Sequence, residues 1–134
     1  FLPQAGTLSG FPVAAVAGLA TLEVLRREGT YERLFATGRR IMDSLQRLLD
    51  EAEVPARVAG EPPHFDAFFT EEEITDYRST LSSDKAMRQR FKELLHERGV
   101  LKANSGYYVS TAHTDEDVDQ TIDAFASSIR ELAP

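Results

Sequence analysis

The strongest constraint on this chain is a change of hydrophobic period at Pro55. Upstream, Leu34, Gly38, Ile41, Met42, Leu45, Leu48, Leu49 and Ala52 recur at helical spacing against a face of arginines and acids, the pattern of an amphipathic surface helix. Downstream, Ala56–Gly60 and His64–Thr70 are short β-branched or aromatic runs split by Glu61-Pro62-Pro63. They predict two strands joined by a turn, with Phe65, Ala67 and Phe69 on one face and Phe68 on the other. Helical spacing returns over Asp84–Arg98, through Met87, Phe91, Leu94 and Leu95, and closes at Gly99. Val100-Leu101 and Tyr107–Ser110 read as further strands around the turn Asn104-Ser105-Gly106. Thr114-Asp115-Glu116-Asp117 then opens a last helix with Val118, Ile122, Phe125, Ile129 and Leu132 inward. The polar run from Glu71 to Asp84 reads as a loop. This order of elements predicts an α+β fold, helices packed on one face of a small, mostly antiparallel sheet.

The front of the chain follows another pattern. From Pro12 to about Glu28, Val13, Ala14, Val16, Ala17, Leu19, Ala20, Leu22, Val24 and Leu25 cover most of a helix's circumference. Such a helix is expected to be enclosed on nearly all sides. Pro12 suits a first turn, Ser9 or Gly10 is the expected cap, Gly29 stops the helix and Thr30 caps the next. Before it stands Ala-Gly-Thr-Leu-Ser-Gly-Phe-Pro, residues 5–12. Such a loop can gather backbone N–H groups and the Thr7 hydroxyl around an anion at a helix N-terminus, or serve only as the way into the helix. It lacks the lysine of a Walker loop.

Composition excludes several classes. The 134 residues, 42% of them hydrophobic, suffice for one globular unit. Fifteen basic against twenty-two acidic residues give a net charge of -7, which repels nucleic-acid backbones and requires any anionic ligand to have a local site. With no cysteine there are neither disulfides nor thiolate metal sites, in keeping with a reducing cytoplasm. No apolar run reaches the length of a membrane span. The apolar opening at Phe1 reads as the interior of a longer chain. His64 and His96 have no partners at ligand spacing, so no metal site is expected. His113 belongs with the last helix's cap, and Glu71-Glu72-Glu73 is a solvated edge. Lys102 near Asn104 is a solvated turn or an anion reader. No residue is assigned as catalytic.

Two stretches carry a family resemblance over nearly the whole chain: QAGTLSGFPVAAVAGLATLEVLRREGTYERL at the front and HERGVLKANSGYYVSTAHTDEDVDQTIDAF near the end. Together they resemble the C-terminal part of class III pyridoxal-phosphate enzymes, the glutamate-1-semialdehyde aminomutase group and its aminotransferase relatives. The resemblance implies a fold-type I homodimer acting on an amino acid or other small amino compound, with pyridoxal 5'-phosphate held by a lysine of the large domain. It also implies that residues 1–12 are a loop of that large domain, at the cofactor phosphate and the dimer interface. Residues 13–134 are then a connecting helix and the small domain that closes over the substrate. The family lysine lies upstream of the matched loop, and Lys85, Lys92 and Lys102 do not match its context, so this chain alone is expected to be inactive. The GT threonine of the family reaches the neighbouring subunit's cofactor phosphate; that position is Thr7, flanked by Gly6 and Leu8. Phe11 stands where the family usually has asparagine, and the turn before Tyr108 is shorter than in the aminomutases, which leaves aminomutase and aminotransferase both open. The strand Tyr107–Ser110 lacks the arginine with which many relatives bind a substrate carboxylate, and Lys102 or Asn104 is the expected substitute. The competing class is a non-catalytic binding or interaction module on the same fold, separable by the upstream lysine.

Overall fold

The structure, a computed structural model, describes Gly6 and residues 8–132. Residues up to Glu32 and those from Arg33 onward form two compact units.

In the first unit, α1 (Pro12–Leu25) begins with Pro12 in its first turn, where the missing N–H costs nothing. Phe11 is the N-cap residue and no side chain caps the helix, so the expected cap at Ser9 or Gly10 is not formed. Ser9 N–H is turned back on the Gly6 carbonyl at 3.0 Å, and Gly10 sits at φ 77° in the preceding turn. The helix ends at Leu25, short of Glu28, with Arg26 and Arg27 N–H closing on Leu22 and Val24 carbonyls. None of its fourteen residues is buried; the enclosure expected of such a helix is not supplied by the described residues. Apolar residues all round its circumference find no cover within so short a unit. Gly29 at φ 77° makes the turn into α2 (Thr30–Glu51). Thr30 lies within α2, and its hydroxyl donates to the Val24 carbonyl at 3.2 Å instead of capping.

The second unit is the α+β layer. β1 (Arg57–Glu61), β2 (His64–Phe68) and β3 (Tyr107–Tyr108) form an antiparallel sheet in sequence order, with Gly60 opposite Phe65 and Phe65 opposite Tyr107. α3 (Lys85–Glu97) and α4 (Asp115–Leu132) join α2 around one core. Ile41, Leu45 and Leu49 of α2 meet Phe65, Ala67 and Tyr107 of the sheet, Phe91 and Leu95 of α3, and Val118, Phe125 and Ile129 of α4. An aromatic chain runs through it: Phe69 on Phe91, Phe91 on Phe125, Phe125 on Tyr107 and Tyr107 on Phe65, centroids 5.1–6.2 Å apart. Each fully buried ring contributes about 1.5–3 kcal/mol of transfer free energy.

Gly38 lets α2 approach the β1–β2 turn, since a Cβ there would lie 2.0 Å from the Pro62 carbonyl oxygen. Val100-Leu101 does not form the expected strand. Val100 N–H closes α3 on the Leu95 carbonyl at 2.9 Å, after Gly99 at φ 81°, and Leu101 is exposed. Of Tyr107–Ser110 only the first two residues pair in the sheet, while Val109 N–H reaches the Pro63 carbonyl at 3.0 Å.

Candidate functional site

The opening loop narrows to a single function-bearing feature. Between Gly6 and Pro12 the Ser9 and Phe11 N–H groups are taken by the Gly6 and Leu8 carbonyls, at 3.0 and 3.1 Å. The next N–H groups, at Val13 and Ala14, head α1, which has no side-chain cap and no acid in its first turn. Position alone denies them an intrahelical acceptor. This is the donor set and dipole end that suit an anion. Of the three residues assigned to it from sequence, Gly6 and Leu8 flank the turn, and Thr7 lies outside the described residues.

The other two candidates, Lys102 and Asn104, come together at the edge of the sheet in a cluster centred on Asp66. Asp66 follows Phe65 in β2 and so points away from the core face, yet it is only 5% exposed. Its Oδ1 accepts from its neighbour's amide, Ala67 N, at 2.8 Å and from Lys102 Nζ at 2.9 Å; its Oδ2 accepts from Arg88 Nη2. Arg88 Nη2 also donates to the Asn104 carbonyl at 2.9 Å, and its guanidinium lies 5.8 Å from the Phe68 ring centre. Lys92 Nζ donates to Asn104 Oδ1 at 2.5 Å. Lys102 carries its ammonium inward, 5.0 Å from the Tyr107 ring centre and 3.1 Å from its acceptor, the Ala103 carbonyl. Burial lowers the Lys102 pKa, the hydrogen bond and charge of Asp66 oppose this, and the Arg88 and Lys92 charges add to the lowering. Burial, then the Asp66 charge, raise the Tyr107 phenol well above its usual value, with Arg88 opposing.

Asp66 and Arg88 were not among the residues the sequence singled out. The available signal was an acid in the middle of the apolar strand His64–Thr70, which demands a cation wherever that strand is buried.

At the start of α4, Thr114 and Asp117 close a reciprocal cap. Asp117 N–H donates to Thr114 Oγ1 at 3.2 Å, while Thr114 N–H and Oγ1 donate to Asp117 Oδ2 at 2.7 and 2.8 Å. The Thr114 amide, then its hydroxyl, hold the Asp117 carboxyl below its usual range. His113 Nδ1 accepts from Ser110 N–H at 3.0 Å, so that ring nitrogen is spent on the loop. Among the described residues no three histidines, cysteines or acids converge as metal ligands, and no helix is long and apolar enough to cross a membrane.

No protein-family model matches the chain. Glutamate-1-semialdehyde 2,1-aminomutase of Desulfitobacterium hafniense (strain DSM 10664 / DCB-2) is 40% identical over 132 residues, 96% of this chain and 31% of that protein. The protein of the same name from Thermomicrobium roseum is 35% identical over 133 residues, 97% of this chain and again 31% of its own length. This chain therefore spans about a third of the curated relatives it matches. Among solved structures, an omega-transaminase from Sphaerobacter thermophilus superposes with TM-score 0.85 at 28% identity, over 99% of this chain and 31% of that one. A transaminase with PLP bound gives 0.77 at 26% identity, over 98% of this chain and 30% of that one. In sequence and in fold, over nearly its whole length, this chain is similar to a C-terminal portion of glutamate-1-semialdehyde aminomutases and pyridoxal-phosphate transaminases.

Proposed function

We propose that this chain is the cofactor-loop and small-domain portion of a pyridoxal-phosphate-dependent aminotransferase or aminomutase that works as a cytoplasmic homodimer on a small amino compound. The observation that supports it most is the match of the family's loop to an uncapped helix start, with Gly10 at φ 77° turning the chain into it. A phosphate fits there: donors without acceptors and no acid in the first turn. Bound pyridoxal phosphate supplies an electron-withdrawing ring that stabilises a carbanion at the substrate's amino carbon. Thr7, with the backbone at Gly6 and Leu8, would hold the phosphate of the neighbouring subunit's cofactor. The proton-moving lysine lies outside this chain, which by itself is inactive. Residues 1–12 belong on this reading to the large domain, and residues 13–134 carry the closure over substrate, with Lys102 and Asn104 at the substrate end.

The test is Thr7→Val in the full-length dimer, which keeps shape and removes the hydroxyl. A hydrogen bond to a charged group is worth roughly 1.5–3 kcal/mol, so cofactor affinity should fall about ten- to a hundredfold. Thr7→Ser should retain most of it. Mixed dimers should place the defect in the site facing the altered loop. An unchanged dissociation constant, or a defect in the altered subunit's own site, would leave the loop only a way into α1.

A further inference from the structure

We propose that the cleft along the N-terminal half of α3, lined by Lys85, Arg88, Gln89, Lys92, Lys102 and Asn104, binds a small oxyanion, a carboxylate or phosphate group. This deepens the substrate-end reading of Lys102 and Asn104, and it rests on that reading only for identifying the anion as part of the substrate.

The first ground is charge. Arg88 and Lys102 share one buried carboxylate, Asp66, so the pair leaves one positive charge uncompensated, with Lys102 buried and Arg88 partly open to the cleft. Lys85 and Lys92 add two more on the same wall. Lys85 opens α3 at its positive dipole end, where a cation is disfavoured and an anion welcome. Nearby acids are spoken for: Asp84 caps α3 by accepting from Ala86 and Met87 N–H, and Glu93 Oε1 accepts from Gln89 Nε2 at 2.8 Å. In a chain of net charge -7 such a concentration of cations is against the global balance, and Arg88, Lys92 and Lys102 are held in place by hydrogen bonds.

The second ground is donor geometry. Arg88 spends Nη2 on Asp66 and the Asn104 carbonyl, which fixes the guanidinium plane and leaves Nε and Nη1 as donors among the described residues. Lys92 gives one N–H to Asn104 Oδ1 at 2.5 Å, which orients the Asn104 side chain with its amide N–H₂ as a further donor. A guanidinium, an ammonium and an amide so fixed are the donors that recognise oxyanions. The cleft encloses about 250 Å³, enough for a di- or tricarboxylate or a phosphoryl group. The lowered Lys102 pKa, caused by burial and in part by Arg88 and Lys92, is the strain that a bound anion would relieve.

The experiment uses the cofactor-loaded full-length protein, so that the cofactor's phosphate site is filled. Citrate and inorganic phosphate are titrated calorimetrically against sodium chloride at matched ionic strength, in the native protein and in Lys92→Met and Lys85→Met, neither of which touches the buried pair. We expect saturable binding of citrate, phosphate or both, and not of chloride. Affinity should fall about ten- to a hundredfold in Lys92→Met, the loss of one charged hydrogen bond. Which probe binds tells carboxylate from phosphate. No saturable binding, or equal affinity in the native protein and both variants, overturns the proposal. A separate competition against the amino donor distinguishes the two readings: a citrate that binds through Lys92 without competing upholds the anion site and removes the cleft from the substrate end.

Discussion

Asp66 and Lys102 form one ion pair, but the structure predicts that they are far from equivalent. Asp66→Asn keeps the side chain's shape and removes the only carboxylate of the cluster. Lys102, whose side chain is 2% exposed, then has no counter-charge, and Arg88 loses its anchor. Removing one partner of a buried pair costs about 3–5 kcal/mol. Lys102→Met leaves Asp66 with Arg88 and the Ala67 N–H and replaces a desolvated ammonium by an apolar group of similar length, so its cost should be at most about 1 kcal/mol. At a urea slope of about 1–3 kcal/mol/M, a difference of some 3 kcal/mol separates the unfolding midpoints by roughly 1–3 M. The pH dependence has a definite sign. The Lys102 pKa is depressed below 10.5 in the folded chain, so its contribution is fully present above that value and is lost as pH falls through the folded pKa. Without Asp66 the folded pKa falls further, the window widens toward neutrality, and the Asp66→Asn deficit should shrink as pH rises toward about 10. Urea unfolding followed by circular dichroism, at several pH values, reads both effects. Equal losses in the two variants, or an Asp66→Asn deficit flat across that range, would refute the asymmetry.

Gly38→Ala should reverse the usual gain of about 1 kcal/mol for replacing a mid-helix glycine. The new Cβ would meet the Pro62 carbonyl at 2.0 Å, so a net loss of about 1–3 kcal/mol is expected, and a raised melting temperature would contradict the packing described. Thr114→Ala should cost about 1 kcal/mol through the lost cap. Because the Asp117 carboxyl is held low by Thr114, the cap's contribution is present above pH 3.8 and declines as pH falls through the folded value; urea midpoints of native and variant should converge in acid.

Much of the layer was legible because its cause is local. The alternation Phe65, Ala67, Phe69 and the spacing Val118, Phe125, Ile129 place those residues in the core, where they are found. The Gly99 stop also sits where residue chemistry puts it. Val100-Leu101 misled because an apolar pair after a glycine is equally the closing turn of a helix, and only the Leu95 carbonyl decides between them. The Asp66 cluster was illegible for a different reason. Its cations come from α3 and from the turn after it, 22 and 36 positions away, and no periodicity reports such a meeting. α1 announces its need for neighbours in its composition, and those neighbours are not in its own unit.

The turn Glu61-Pro62-Pro63 is held from two directions: the Pro62 carbonyl against Gly38, and the Pro63 carbonyl accepting from Val109. Hairpin tips ordinarily absorb insertions during evolution and in engineering. Here an added residue would displace a helix and the strand's continuation at once. Length variation should instead collect between Glu72 and Ser79, where the hydrogen bonds around Asp76 and Ser79 are made within the segment itself. A chimera that exchanges pieces of this layer between relatives should therefore place its junction in that loop and carry α2, the proline turn and Val109 as one inheritance.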